Sequence, residues 1–595
     1  MLSYTHSIYN YRRRKTVDVK FGIIGLGGLN PIRVESMTTT DTMDTKATVE
    51  QCRQLYEAKC EIIRITAPSI KSAENLKDIR DALRNDGIQT PLVADIHFTP
   101  NAAMKAVEYV ENVRINPGNY ADRKKFDTHD YTDSEYEAEL ERIHKEFKPL
   151  VMKAKEYGVS MRIGTNHGSL SDRIVNRYGD TPLGMVESAL EFARICEEYG
   201  YYDILFSMKS SNVRVMIEAY RLLVAKADKE LKNAYPLHLG VTEAGDGEEG
   251  RVKSAMGIGA LLEDGLGDTI RVSLTEHPVN EVPIGYAIVK KYNDRLLVQG
   301  DRAFEPINHL ITSAGNNGEE LMPYDPYDFR RRESIKVNAG EIGIGGNEVQ
   351  RVELEVEEPG NRAEILRDAV IAAAKPFLGD VIRSEVTNVK VASVEEYEQV
   401  RKSLEEKNAS PALSVSTADI ALAKSLVGKA EKIRIDIKEG EMLDKDFLQG
   451  LSGSSLIEFS FVKENASGRA VADVLVRIAK KCQDAGMQNV IFSIQAKEIV
   501  FAYRHLAMLF KEAGIDYPIL IRFDGTHLLD KETVLVEGSV QAGTLFCDGI
   551  GDMLAFRANC TYNEELSLAY NILQASRLRL SKTEFISCPY CGRTL

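Results

Sequence analysis

The sequence predicts an α/β protein: a TIM (β/α)8 barrel followed by a degenerate, barrel-like second copy of the same unit. Three observations predict it. In the first 275 residues, eight short β-branched or apolar runs alternate with amphipathic helical stretches, the signature of βα units and a parallel sheet. The C-terminal tips of these runs are polar or charged. Long segments of the first half then return, in the same order, in the second.

The runs are residues 31–38, 61–66, 91–97, 112–118, 159–165, 203–209, 236–243 and 268–274. Side chains two apart on a strand point the same way. Arg64/Thr66, Asp95/His97, Arg114/Asn116, Ser207/Lys209 and Arg271/Ser273 are such pairs, and Arg162, Asn166, Thr242 and Glu243 lie at or near the tips of two further strands. Buried polar groups are costly unless they face a site, and a TIM barrel places its active site at the C-terminal ends of its strands. Any one of these residues is explained as readily by a salt bridge plugging the barrel top. The set is not: Arg64, Arg114, Arg162, Lys209 and Arg271 converge on one mouth in a chain of net charge −14, with Asp95 and Glu243 as the acids in view. The pattern predicts a small ligand with several negative charges, a diphosphate or bisphosphate, because guanidinium forks match phosphate oxygens. No Walker-type glycine loop is present, which argues against a nucleoside triphosphate. Glu243 is the candidate general acid or base, and His97 a phosphate donor or a partner of Asp95.

The repeat is explicit. "GLGGLNPIRVE" (25–35) returns as "GIGGNEVQRVE" (343–353), and "PLVADIHFTPNAAMKAVEYVENVRIN" (91–116) as "PALSVSTADIALAKSLVGKAEKIRID" (411–436). "LFSMKSSNVRVMIEAYRLL" (205–223) faces "IFSIQAKEIVFAYRHLAML" (491–509), and "GALLEDGLGD" (259–268) faces "AGTLFCDGIGD" (542–552). Between the copies His97 becomes Thr417, Asp95 becomes Val415, Lys209 becomes Gln495 and Arg271 becomes Ala555, whereas Arg114 keeps Arg434. The second copy is therefore expected to keep the shape and lose the chemistry, and to lack the charged loop and helix near residues 119–150. Expected domains are the catalytic barrel (16–305), a Gly/Asn/Pro-rich linker (306–335), the inserted barrel-like domain (336–562) and a further domain beginning at 563.

Composition narrows the class. An acidic chain is repelled by the phosphate backbone, so a general nucleic-acid binder is excluded. No apolar run reaches the roughly 18 residues of a membrane span, and "MLSYTHSIYNYRRRKT" (1–16) has no apolar segment behind its basic cluster. Eight cysteines in 595 residues are too sparse for a disulfide scaffold and fit a reducing cytoplasm. The last two, Cys588 and Cys591 in "CPYCG", have metal-knuckle spacing. Zinc, iron–sulfur and thiol-redox readings all stay open, since each needs partners that the nearby Cys547 and Cys560 do not provide.

Taken together, "GGLNPIRVESMTTTDT", "VADIHF", "VRINPGN", "RIGTNHGSL", "FSMKSSN", "LGVTEAG", "KSAMGIGALLEDGLGDTIRVSLT" and "SCPYCGRT" resemble the 4-hydroxy-3-methylbut-2-enyl diphosphate synthase family over nearly the whole chain. The resemblance is to its long form, with a barrel-like domain inserted before a small α+β iron–sulfur domain, of which 563–595 would be the incomplete start. It implies an oxidoreductase of non-mevalonate isoprenoid biosynthesis that opens 2-C-methyl-D-erythritol 2,4-cyclodiphosphate on a [4Fe–4S] cluster, with electrons from ferredoxin or flavodoxin. It implies that Arg64, His97, Arg114, Asn116 and Arg162, with Asn166, Lys209, Arg271 and Ser273, hold the diphosphate and ring hydroxyls. Thr242 and Glu243 would sit nearest the reacting carbons, and Cys588 and Cys591 would be cluster ligands. In the family a third cysteine and a glutamate complete the set. With Leu595 last, the expectation is a truncated sequence, inactive alone, or alternatively a diphosphate-binding barrel without redox chemistry. A TIM-barrel lyase using Lys209 as a Schiff base is the weaker alternative. A cytoplasmic monomer or homodimer is expected.

Overall fold

The computed structural model describes residues 3–96, 99–121, 131–300, 322–356, 382–406, 411–437, 443, 445–462, 468–496 and 498–584; His97, Cys588 and Cys591 lie outside them. A two-stranded antiparallel hairpin, β1 (Val19–Phe21) and β2 (Ile24–Leu26), precedes the first barrel. The barrel strands are β3 (Arg33–Met37), β4 (Ile62–Thr66), β5 (Leu92–Asp95), β6 (Asn112–Ile115), β7 (Ser160–Asn166), β8 (Ile204–Lys209), β9 (His238–Leu239) and β10 (Thr269–Ile270). All are parallel, in the order β8-β7-β6-β5-β4-β3-β10-β9, and a bridge between Phe206 and Leu237 joins the two ends of the sheet. Each lies within its expected run except β7, which continues one residue further to Asn166. The last two are only two residues long; beyond β9 the Thr242 amide donates to the Ser210 carbonyl at 3.2 Å.

The helices between strands form for local reasons. Ser69 caps Ile70–Asn85 by accepting from the Ser72 amide, and Ala73, Leu76, Ile79 and Leu83 then bury one face. Asp133–Tyr157 opens on a reciprocal Thr132/Glu135 capping box and ends at Gly158 in the left-handed region. The hairpin closes the N-terminal end of the barrel, Phe21 and Leu26 packing on Ile62, Val93 and Leu205. The opposite end is left for the polar tips.

The second copy also closes. Its strands are β13 (Arg351–Val356), β14 (Val386–Val389), β15 (Ala412–Thr417), β16 (Lys432–Ile437), β17 (Leu456–Val462), β18 (Val490–Gln495), β19 (Ile519–Gly525) and β20 (Met553–Ala558), in sequential order around the ring. Its own hairpin, β11 (Val337–Ala339) with β12 (Ile342–Ile344), plugs its base. Where the first barrel has the helix Asp133–Tyr157, the second has Lys445–Gln449. The final described helix, Tyr562–Ala575, packs on β13 and β20 and completes this barrel. By its packing this helix, which spans the expected start of a further domain at 563, goes with the second barrel.

The barrels meet through equivalent helices, Gly247–Glu263 and Lys531–Cys547. A Cβ on Gly259 would lie 2.3 Å from Val540, and one on Gly543 2.7 Å from Met256. Gly259 is the counterpart of Gly543 and Met256 of Val540, so the contact is reciprocal, as about a two-fold axis. The same reciprocity orders a buried tetrad. Arg221 pairs with Asp264 and Asp548, both at 2.8 Å, and Arg504 pairs with Asp264 at 2.9 Å and Asp548 at 2.8 Å. The N-terminal segment crosses this seam: the Ile8 carbonyl accepts from Arg504 at 3.1 Å, and the Tyr4 hydroxyl bonds that of Tyr324 at 3.1 Å.

Candidate functional site

The alternation that makes β3–β10 barrel strands also sets what enters the barrel. Ile62, Val93 and Leu205 form the bottom layer. Two residues on along their strands stand Arg64, Asp95 and Ser207, and the side chains above the apolar floor are almost all polar.

Asp95 is the hub of one side. Its Oδ2 accepts from Arg64 Nη2 at 2.7 Å and its Oδ1 from Arg114 Nη1 at 3.1 Å. Arg114 then reaches across β7, donating to the Gly164 carbonyl at 2.9 Å and to Asn166 Oδ1 at 3.1 Å. That crossing needs glycine at 164, where a Cβ would lie 2.7 Å from Arg114 Nε and 2.6 Å from Ser207 Oγ. Asn116 is buried and caps the turn after β6, its Oδ1 accepting from the Gly118 amide at 3.2 Å.

Two acids that the sequence reading did not single out complete the picture. Glu35, on β3, accepts a fork from Arg162, with Arg64 Nη1 at 3.9 Å and His238 Nε2 at 3.7 Å from its Oε1. Burial works to raise the Glu35 carboxyl, but Arg162, Arg64 and Lys209 outweigh it and hold it below the ordinary range. Arg162 and Glu35 are fully buried, so Arg162 sits deep beneath the mouth, not at its rim. Glu281, at the start of the helix Glu281–Gln299, takes Arg271 Nη2 at 3.2 Å and Nε at 3.3 Å. The expected large excess of cations is thereby corrected: Asp95, Glu35 and Glu281 engage the four arginines. Period-two alternation from Arg33 to Met37 pointed to Glu35, which the repeat echoes as Glu353. Glu281 comes from a helix and had no such signal.

Lys209 remains. Its side chain makes no ion pair among the described residues and is 6% exposed. Burial, then Arg64 and Arg271, push its pKa well below the ordinary lysine value, against the opposing pull of Glu35. A Cβ at residue 240 would come within 3.0 Å of its Nζ, so Gly240 gives it room. His238 is fully buried with both ring nitrogens unpartnered. Burial and then Arg162 and Lys209 hold its pKa well below the usual value and keep the ring neutral.

Ser273 is buried beyond β10, and Thr242 and Glu243 are half-buried beyond β9. Glu243 has φ of +53°. Lys59 and Arg577, the other non-glycine residues with positive φ among those described, directly follow helix ends, where the left-handed conformation is common. Glu243 follows a strand, and strain of this kind collects at functional sites.

The second barrel holds the same layer with other charges. Register equates Arg162 with Glu458, since each pairs with the counterpart arginine, Arg114 or Arg434, on the preceding strand. It likewise equates Gly240 with Arg522. Arg522 there binds Glu353, Glu355 and Glu458, and Lys432 binds Glu353 and Glu458. The acids and bases have been re-dealt into an internally paired set rather than simply removed.

The described residues do not fit a resident iron–sulfur cluster. No group of three His, Cys, Asp or Glu side chains among them is placed to hold a metal. Of their six free cysteines five are buried, burial pushing the thiols of Cys52 and Cys547 up to about 12. No helix among them is long and apolar enough to cross a membrane.

Fold and site define a tandem (β/α)8-barrel protein with a polar, arginine-rich site at the C-terminal end of its first barrel. Residues 16–286 match the GcpE TIM-barrel domain. The 4-hydroxy-3-methylbut-2-en-1-yl diphosphate synthase (flavodoxin) of Chlorobaculum tepidum is 57% identical, the match covering 100% of this chain and 80% of the relative. The flavodoxin-type synthase of Leptospira interrogans is 44% identical over 100% of this chain and 86% of its own length. The chloroplastic, ferredoxin-type synthase of Arabidopsis thaliana is 36% identical over 100% and 78%. The chain belongs to the 4-hydroxy-3-methylbut-2-en-1-yl diphosphate synthase family, whose members are iron–sulfur oxidoreductases.

Proposed function

We infer that this protein is a 4-hydroxy-3-methylbut-2-enyl diphosphate synthase, catalysing the two-electron reductive dehydration and ring opening of 2-C-methyl-D-erythritol 2,4-cyclodiphosphate. Identity to the synthases of Chlorobaculum tepidum, Leptospira interrogans and Arabidopsis thaliana along the whole of this chain carries the reading. Its chemistry fits the mouth: a cyclic diphosphate brings negative charge to Lys209, the cation left without an ion-pair partner among the described residues, and to arginines already oriented by acids.

In this reading Arg64, Arg114, Lys209 and Arg271 take the phosphate oxygens, and Asn116, Asn166 and Ser273 the remaining polar atoms. Arg162 acts from below by fixing Glu35. Glu243, free of side-chain partners among the described residues, handles the proton that accompanies loss of water, with Thr242 beside it. His97, Cys588 and Cys591 belong to the same reading from the sequence alone: His97 as a phosphate donor, the cysteines as two ligands of a [4Fe–4S] cluster. Flavodoxin or ferredoxin is the electron donor, in keeping with the names of the relatives, and the setting is cytoplasmic, as a monomer or homodimer. No observation favours the alternative of a diphosphate-binding barrel without redox chemistry.

The test is anaerobic turnover. The full-length gene product, reconstituted with iron and sulfide and supplied with reduced flavodoxin, should convert the cyclodiphosphate to the allylic diphosphate. Binding of the cyclodiphosphate with no turnover under any low-potential reductant would replace this reading with the binding-only one.

A further inference from the structure

The two barrels offer an experiment already performed within one chain. Register pairs Thr269 with Arg33 in the first barrel and Met553 with Arg351 in the second, which makes Arg271 and Ala555, Ser36 and Leu354, and Leu274 and Ala558 equivalent positions. Each barrel has a glutamate at the start of its last helix, Glu281 or Glu565. Each accepts a hydrogen bond through Oε1 from the equivalent strand-end amide: Leu274 N at 3.1 Å and Ala558 N at 2.8 Å. This clamp, common to both copies, ties helix to strand.

The difference lies in what else the carboxylate meets. Glu281 also takes the Arg271 fork, and Ser36 Oγ donates to its Oε2 at 2.7 Å. In the second barrel those partners are Ala555 and Leu354, and Glu565 Oε2 is buried with no partner. The copies thus separate two roles of one side chain, a structural clamp present in both and a grip on a guanidinium present only where the mouth keeps its arginine.

We propose that Glu281 is a positioning residue for the reaction, holding Arg271 through its Nε and Nη2 so that the guanidinium faces the mouth before substrate arrives. The proposal rests on the functional reading above. An unheld arginine must be ordered at the moment of binding, which costs affinity. A glutamate that merely cancelled charge would do the opposite, and its removal would tighten anion binding. The sign of the effect therefore decides.

The experiment is calorimetric titration of the full-length protein with the cyclodiphosphate and, separately, with inorganic pyrophosphate, in Glu281→Gln, Arg271→Ala, the double variant and Glu565→Gln. Glutamine keeps an oxygen for the Leu274 amide but leaves Arg271 without its charge partner, so Glu281→Gln should stay folded at the titration temperature, its melting temperature falling no further than that of Arg271→Ala. Its cyclodiphosphate affinity should fall about tenfold or more, whereas adding Glu281→Gln to Arg271→Ala should change affinity by less than about twofold. Glu565→Gln should leave affinity unchanged. Tighter binding in Glu281→Gln, or equal losses with and without Arg271, overturns the proposal. Binding of pyrophosphate but not of the cyclodiphosphate by the parent overturns the functional reading while the same cycle, read with pyrophosphate, still judges Glu281. Binding of neither overturns both.

Discussion

Replacing Glu565 with glutamine should make the protein more stable at alkaline pH and have little effect in mild acid. Glu565 is 3% exposed, and burial pushes its pKa up to about 8. Glu355 and Asp524 push the same way; Arg557 and the Ala558 amide oppose them. In the unfolded chain the group returns to about 4.3. Between these values the folded state binds the extra proton, so stability falls as pH rises from the unfolded value toward 8 and is unaffected by this group in strong acid. From pH 5 to pH 8 the loss is about 3–4 kcal/mol, using about 1.36 kcal/mol per pKa unit. Glutamine has the shape of the protonated acid and does not titrate. Urea unfolding of parent and Glu565→Gln at pH 5 and pH 8, compared as a difference of differences, cancels every other titration. A variant whose stability differs from the parent by the same amount at both pH values would refute the orphaned-carboxyl reasoning.

Four further outcomes are expected. Lys209→Met should raise the melting temperature of the ligand-free protein, because it removes a buried cation crowded by Arg64, Arg162 and Arg271, yet abolish cyclodiphosphate binding. Titration of the parent in buffers of different ionisation enthalpy should show proton uptake on binding, since polyanion charge raises a lysine pKa that is depressed in the empty site. Arg271→Ala should cost about 3 kcal/mol in denaturant unfolding, because it leaves Glu281 buried with a lost charge partner. Gly259→Ala should destabilise by about 1–3 kcal/mol and more than Gly543→Ala, since its methyl would meet branched Val540 at 2.3 Å rather than the flexible Met256 at 2.7 Å.

The sequence by itself determined the eight strands of the first barrel, because period-two alternation and turn residues are local properties that survive in any register. It determined the repeat, because hydrophobic pattern and glycine spacing persist where chemistry does not. It also brought Arg64, Asp95, Arg114, Lys209 and Arg271 to one barrel end, because every strand of a (β/α)8 barrel points its tip the same way. Tertiary structure decided how those charges are balanced. Arg162 lies against Glu35 on a strand four removed in the sheet, and Arg271 against a helix-borne Glu281, and no linear pattern encodes which carboxylate meets which guanidinium. It decided that the second barrel is not stripped of charge but paired within itself, Glu458 standing where Arg162 stands and Arg522 where Gly240 does. And it decided that Lys209 alone among the mouth cations has no acid partner among the described residues, a fact about desolvation and distance that a sequence can pose but only a packed interior can settle.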